Sequence, residues 1–516
     1  MIMSRTSKIL TANRDGLCWS RLLLGLALLV LSGIFTPAEA QFSNGYSYRV
    51  EVDFVDAEVI GGPHTNFPVL ISSTLLDLRT VGNGGKVEDA NGYDIIFTSD
   101  AAGTTPLAHE IESYVSSTGE IVFWVRVESL AATTKIYMFY GNSGIATFQG
   151  DVTSNGVTGV WDANYKGVYH LNELQAAGTH VDATGTNIDA TRVGNTSGTG
   201  QIDGGQLFDG NDYIVAGGLN DDIDVAKGTV SAWIELNTET GDSTVFGTKA
   251  DSTNKHKMNW DNGASEFLFR VEAGGTNSQV AIAGGAILDE GDGKQHLVTM
   301  TWDKNAGATG EMKAFIDGSQ VGTTQTGLGV WVGAIADSVA IGATGSAGHS
   351  AYWLGMIDEV RVSSSVRAPQ WIETGFNNQL APAAFYALGP EITDLDISGR
   401  VFEDGDFTGT ASTWDGGTND LALANVDVEL YTSADVYQSS TTTDINGNYS
   451  FLALAVELVV TSFGLISATV EVTAYTTGSV VVTVQLLLSP ASPSPSPSVV
   501  DWAAVPGSAD VGEPSA

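Results

Sequence analysis

Short apolar runs rich in Val, Ile, Tyr, Phe and Trp recur along the chain. Clusters of Gly, Asn, Asp, Ser and Thr separate them every ~8–12 residues, the rhythm of sandwiches and barrels. Several runs alternate apolar and polar residues with a period of two, which buries one face of a strand and wets the other. In the first part of the chain this predicts strands at 46–54, 66–72, 93–99, 120–127 and 135–141. In the middle it predicts strands that include 167–172, 205–210, 228–236, 265–273, 296–303, 311–318, 337–343 and 352–363. The best helical candidate is short, at 368–376. The expected fold is all-β, built from tandem β sandwiches.

The two ends of the chain differ from this pattern. Arg5, Lys8, Arg14 and Arg21 precede or open the apolar run 22–35, and Ala38-Glu39-Ala40 supplies small residues for cleavage, so 1–40 reads as a signal peptide. The run is short for a bilayer core, which needs ~20 residues, although a retained anchor is the alternative. The tail 487–516 opens with Pro/Ser repeats and reads as an extended spacer. Between them lie an N-terminal β domain at 41–150, a larger unit at 151–392 and a small unit at 393–486.

Charge narrows the partners. Asp and Glu outnumber Lys and Arg by 60 to 22. Such a surface repels nucleic acid, and it leaves many carboxylates free for divalent cations. The only cysteine, Cys18, lies in the signal segment, so the mature chain has no disulfide and no thiolate site. A secreted or cell-surface location is expected, with no membrane insertion after signal cleavage.

Three resemblances add to this reading. The unit at 151–392 resembles a bacterial laminin-G-like domain of the concanavalin A-type jelly-roll class. GQLFDGNDYIV (205–215), GTVSAWI (228–234), KQHLVTMTWDKNAGATGEMKAFIDG (294–318) and WLGMIDEVRVSSSVRAPQWI (353–372) carry the likeness, in the expected order. Trp233 is expected between the sheets. In IDEVRV, strict alternation sets Ile357, Glu359 and Arg361 opposite Asp358, Val360 and Val362. The first unit resembles a bacterial domain family of unknown function that often precedes such domains, through residues 91–114 and 123–142. The third is similar to a B-type repeat of surface adhesins, an immunoglobulin-like sandwich that often binds calcium, through residues 399–407, 426–431 and 441–454. After Leu454 the chain departs from that pattern.

Candidate sites follow from residue type and from these likenesses. Asp404 and Asp406 alternate ahead of Gly409 like the opening of a calcium loop, and Asp444 and Asn446 have a similar spacing that also suits an Asx turn. The jelly-roll likeness implies a structural calcium at Asp358, with a turn-capping carboxylate as the alternative. Trp260, Trp331, Tyr352 and Trp353 are candidate sugar platforms, with core packing as the alternative. Paired acids of the glucanase type, Glu-x-Asp-x-x-Glu on one strand face, are missing from the middle unit. Glu110 and Glu112 in HEIES alternate, and edge-strand solvation accounts for them. The sequence therefore predicts a non-enzymatic extracellular binding or adhesion protein. Its partner is a glycan or surface protein, and structural calcium steadies its loops. The alternatives are a stalk or matrix protein without a ligand and a polysaccharide-degrading enzyme.

Overall fold

The computed structural model of the chain describes residues 42, 44–150, 159–174, 178–237, 241–284, 293–335, 339–346, 348–403, 421–431, 437–457, 466–474 and 479–488. The signal-like segment 1–40, Asp404, Asp406 and most of the Pro/Ser tail lie outside the described residues. The fold is all-β, as the alternation predicts. The chain divides into two compact units, one holding residues 41–395 and the other centred on 396–453 and 463–516.

In the first unit, the N-terminal module pairs two sheets. One runs in the order Tyr386–Arg400, Tyr48–Phe54, Lys135–Tyr140, Ile96–Thr98. The other runs His64–Thr74, Glu120–Leu130, His109–Val115. Alternate residues Val69, Ile71, Ile121, Phe123 and Val125 meet Val50, Val52, Ile136 and Met138 in a buried core. The residues between them on the central strand, Val122 and Trp124, face the other way. One strand of this module comes from far along the chain: Tyr386 to Thr393 pair with Phe54 to Tyr48. The expected boundary at 392 therefore cuts a strand that completes the first module.

The middle module is a two-sheet sandwich. Its joint-side sheet runs Thr196–Thr199, Gly204–Asp209, Leu354–Ser363, Lys227–Leu236, His296–Asp303, Glu311–Ile316, Ser319–Thr326, with Tyr165–Tyr169 also paired to Leu354–Ser363. Its far sheet runs Thr276–Ala283, Glu266–Ala273, Asn254–Asp261, Ser243–Asp251, Ala340–Ile341, Tyr213–Val215, Ala190–Val193, Thr179–His180. Val230, Ala232, Ile234, Met300, Trp302 and Ile357 face Phe246, Met258, Trp260, Phe267 and Phe269 across the core.

Trp233 does not lie between these sheets. The period of two that buries Ala232 and Ile234 turns Trp233 outward. It stacks on Phe376 of the helix Pro369–Leu380 at 5.8 Å, and its Nε1 donates to Gln379 Oε1 at 2.9 Å. Pro369 suits the first helical turn, where no N–H partner is lost.

That helix also binds the N-terminal module. Asn378 Oδ1 accepts the Leu70 N–H at 2.7 Å, and its Nδ2 donates to the Leu70 carbonyl at 3.0 Å. Thr374 Oγ1 accepts the Ile60 N–H at 2.9 Å, and Trp371 packs on Phe67 at 4.6 Å. Beside the helix, Leu70, Ala108, Val122 and Trp124 of the N-terminal module merge with Val160, Trp161, Tyr165, Val168, Ala183 and Ile202 in one buried cluster. The two sandwiches belong to one compact unit, and this apolar cluster is buried between them.

The second unit is also all-β. Asp427–Tyr431 pairs antiparallel with Tyr437–Thr442 and parallel with Ser479–Leu488, which pairs antiparallel with Ile466–Ala474.

Candidate functional sites

Trp260 and Trp353 cannot serve as sugar platforms. Both rings are fully buried in the middle module's core, where no pyranose reaches. Trp260 shares an inward face with His256 and Met258, an alternation already visible in HKMNW. Trp331 is half-buried; its ring lies 4.7 Å from His256, nearly parallel, and its Nε1 donates to the Gly333 carbonyl at 3.0 Å. Tyr352 is half-buried within a small aromatic cluster, with Tyr213 at 4.3 Å from His349 and 5.9 Å from Tyr352. Asp444 caps a turn: Oδ1 accepts the N–H groups of Asn446 and Asn448, both at 2.8 Å. The N–H of Asn448 and then that of Asn446 hold this carboxyl below its usual range.

Asp358 lies not on a loop but in a sealed joint between the two sandwiches, and strict alternation fails there. Glu359 adopts a left-handed φ of 50°, and the register with Lys227–Leu236 slips between Ser231 and Trp233. This bulge inserts one residue on the strand, so Ile357, Val360 and Val362 all enter the core while Asp358, Glu359 and Arg361 face the joint. The adjacent acids thus share a face. A second irregularity, between Ile111 and Ser113, frees Glu112 from the opposing strand. HEIES is therefore no solvated edge: the Glu112 side chain is fully buried.

These irregularities bring three acids around one imidazole, with Asp358 beside them. His170 Nδ1 lies 2.6 Å from Glu359 Oε1 and 3.4 Å from Glu112 Oε2, and Nε2 lies 3.5 Å from Glu110 Oε1. Arg361 clamps Glu359 Oε2 through Nε at 3.1 Å and a terminal nitrogen at 2.5 Å. The Trp124 and Trp161 indoles donate to Glu112 and Glu110 at 2.6 and 2.7 Å, while the guanidinium of Arg361 lies 4.2 and 4.9 Å from the same two rings. Asp358 Oδ2 accepts the Ile202 N–H at 3.0 Å.

Burial and charge set the protonation. Burial works against the His170 cation, but Glu359, Glu112 and Glu110 outweigh it and hold the imidazole protonated well above its usual range. Burial also opposes ionised Glu359, but His170 and Arg361 keep its pKa low. Burial pushes Glu112 up to about 8, and burial with the neighbouring Glu359 charge holds Asp358 well above the usual carboxylate range. Ligand atoms of Glu112, His170 and Glu359 lie within 4.8 Å of one another, a spacing a metal ion could use. Two cations already sit on Glu359, so the cluster balances its charge with its own side chains. With the Glu112 and Glu359 side chains fully buried and Glu110 15% exposed, the cluster is placed to lock two modules together rather than to open a groove for a sugar chain.

The outer face of the far sheet is different. There a cleft of about 260 Å³ is lined by Gly247, Thr248, Lys249, Lys255, His256, Lys257, Arg270, Thr344, Gly345, Ser346 and Ser350. Cross-strand pairing sets Gly247, Lys257, Arg270 and Gln279 in one row. The loop after Ala340–Ile341 forms the wall, lying so close that a Cβ on Gly247 would meet Gly345 N at 2.6 Å. The same loop carries His349 and Tyr352 against Tyr213. The sequence signal for this site was the alternation of Lys255 and Lys257 with inward His256 and Met258, in a chain poor in cations.

The middle module carries a match to the family described as the concanavalin A-like lectin/glucanases superfamily, over residues 208–373. Residues 91–178 match the domain of unknown function DUF2341. Among solved structures, the chain is similar to domain 4 of AbnA, a GH43 extracellular arabinanase from Geobacillus stearothermophilus, in complex with arabinotriose. The identity is 18%, covering 42% of this chain and 100% of that chain, with a TM-score of 0.33. It is also similar to the Ruminococcus gnavus IT-sialidase CBM40 bound to alpha2,3 sialyllactose, at 15% identity over 29% of this chain and 83% of that one, TM-score 0.25. A mutant of Trypanosoma rangeli sialidase displaying trans-sialidase activity matches at 15% identity over 43% of this chain and 34% of that one, TM-score 0.32. No curated protein matches the chain.

Proposed function

We propose that the chain is an exported binding protein whose middle module recognises carbohydrate through the cleft on its far sheet. The observation that carries this reading is the cleft itself. Convergent hydroxyls and cations line a concavity on the outer face of a sandwich matched to a lectin/glucanase superfamily, and a tyrosine-bearing loop forms its wall. Tyr352, on the wall-forming loop but outside the cleft's lining, is the aromatic candidate in this reading, whereas Trp331 packs against the core beside His256. Binding rather than cleavage is favoured because the convergent carboxylates, Glu110, Glu112 and Glu359, sit in a closed joint. Glycosidic cleavage needs two carboxyl groups flanking a bound sugar.

The N-terminal module is the rigid support. Export, surface adhesion and calcium on the loop at Asp404 and Asp406 belong to the same proposal. The test uses the purified chain on a glycan array, with a reducing-sugar assay on every saccharide retained. Saccharide retention without release of reducing ends is the expected result. Turnover of any retained glycan would replace this reading with an enzymatic one. Calcium added to the chelated protein is expected to raise the thermal midpoint by several degrees, since an ion that binds the native state stabilises it by mass action. No shift would remove calcium from the proposal.

A further inference from the structure

Acidic residues dominate this chain, 60 to 22, so a place where cations gather without acids stands out. The far-sheet cleft is such a place. Lys249, Lys255, Lys257 and Arg270 line it, and among the described residues no Asp or Glu does. Lys255 is committed to Glu272 at 2.7 Å. Among the described residues, no carboxylate lies within ion-pair distance of Lys249, Lys257 or Arg270.

One of these cations is held in place, beside a second. Arg270 and Lys257 are cross-strand neighbours on one face. The terminal nitrogen of Arg270 donates to Gln279 Oε1 at 3.0 Å, while its Nε is buried without a partner. Lys257 is half-buried; burial, with the like charge of Arg270 behind it, pushes the ammonium down to about 8. Asp242 and Asp261 act on it only from beyond contact distance. A partly desolvated ammonium beside a guanidinium opposes folding until an anion joins them.

The wall opposite supplies neutral groups. The hydroxyls of Thr344, Ser346 and Ser350 lie within 3.3 Å of one another in pairs through Thr344. The cleft's volume of about 260 Å³ is close to the lower end for small-ligand sites, ~300 Å³, which suits a single sugar residue better than a long chain.

We propose that this cleft selects acidic saccharides, with Lys257 and Arg270 taking the carboxylate or sulfate group and Thr344, Ser346 and Ser350 the hydroxyls of the ring. The proposal rests on the carbohydrate-binding reading and sharpens it to one charge class.

The test compares the full chain with K257Q/R270Q and with K257R on an array of uronate-bearing, sialylated, sulfated and uncharged saccharides. Thermal midpoints serve as the folding control. Retention of acidic saccharides, roughly tenfold or more weakened in K257Q/R270Q, kept in K257R and eroded by added NaCl, is the expected result. Carboxylate and sulfate arms read separately which oxyanion is preferred. Equal retention of uncharged saccharides, untouched by K257Q/R270Q, would overturn the selection while leaving carbohydrate binding intact. Retention of no saccharide at all would overturn both.

Discussion

The joint and the far-sheet cleft concentrate charge under opposite conditions. At the joint, Glu110, Glu112 and Glu359 surround His170, Arg361 pairs with Glu359, and the Glu112 and Glu359 side chains have no solvent exposure. In the cleft, Lys249, Lys257 and Arg270 meet no acid among the described residues and face a solvent-accessible hollow. Buried charges paired with one another act on stability, whereas cations that face a hollow without an ion-pair partner are available to a ligand. Perturbed protonation marks both places, so accessibility and partnering are what separate them.

The sharpest way to break this contrast is Glu359→Ala. It strands His170 and Arg361 in a dry joint, and removing one partner of a buried pair costs ~3–5 kcal/mol. Denaturant unfolding should show that loss, with saccharide retention unchanged under native conditions. A loss near zero would mean that the joint is wet and the two regions are alike.

Next comes pH. Folded Glu112 and Asp358 keep protons that the unfolded chain sheds, and His170 keeps one above its usual range. These shifts make stability fall as pH rises, for Glu112 across the window from 4.5 to about 8. Glu359 has the opposite sign, and its contribution is lost only as pH drops below its ordinary 4.5. The thermal midpoint should therefore decline from mildly acidic to mildly alkaline pH, and less steeply in Glu112→Gln. A midpoint that climbs through this window would contradict the protonation pattern.

The smallest effects belong to the loop. Tyr352→Ala should weaken saccharide retention by ~0.5–1.5 kcal/mol, in the range of a single aromatic contact, and barely move the midpoint. Trp260→Ala should do the reverse, costing ~3–5 kcal/mol of stability as a core deletion and touching binding only through unfolding. If Trp260→Ala binds worse while remaining folded, the core placement of that ring fails.

Much of this was legible in the sequence. GTVSAWI and HLVTMTWD foretold the central strands Lys227–Leu236 and His296–Asp303, because their alternation persists without a break. The sugar-platform reading of Trp260 failed although the same alternation placed it inward with Met258. The joint was not legible. Its acids come from 110–112 and 358–359, which alternation treats separately, and a bulge at each strand turns them to the shared face. A residue with φ of 50° in the middle of a strand leaves no mark in composition or spacing. Glu359, an acidic residue, takes the left-handed conformation that glycine usually supplies, so the turn signal that would flag it is missing.

The pairing of Tyr386–Thr393 with Tyr48–Phe54 has a consequence for synthesis. The ribosome must finish more than three hundred intervening residues before the first sheet receives its last strand. Until then, Tyr48–Phe54 offers an open row of amide and carbonyl groups to any passing β-chain. A fragment stopped at residue 150 would keep that open edge permanently, and clumping rather than a soluble half-molecule is its expected fate.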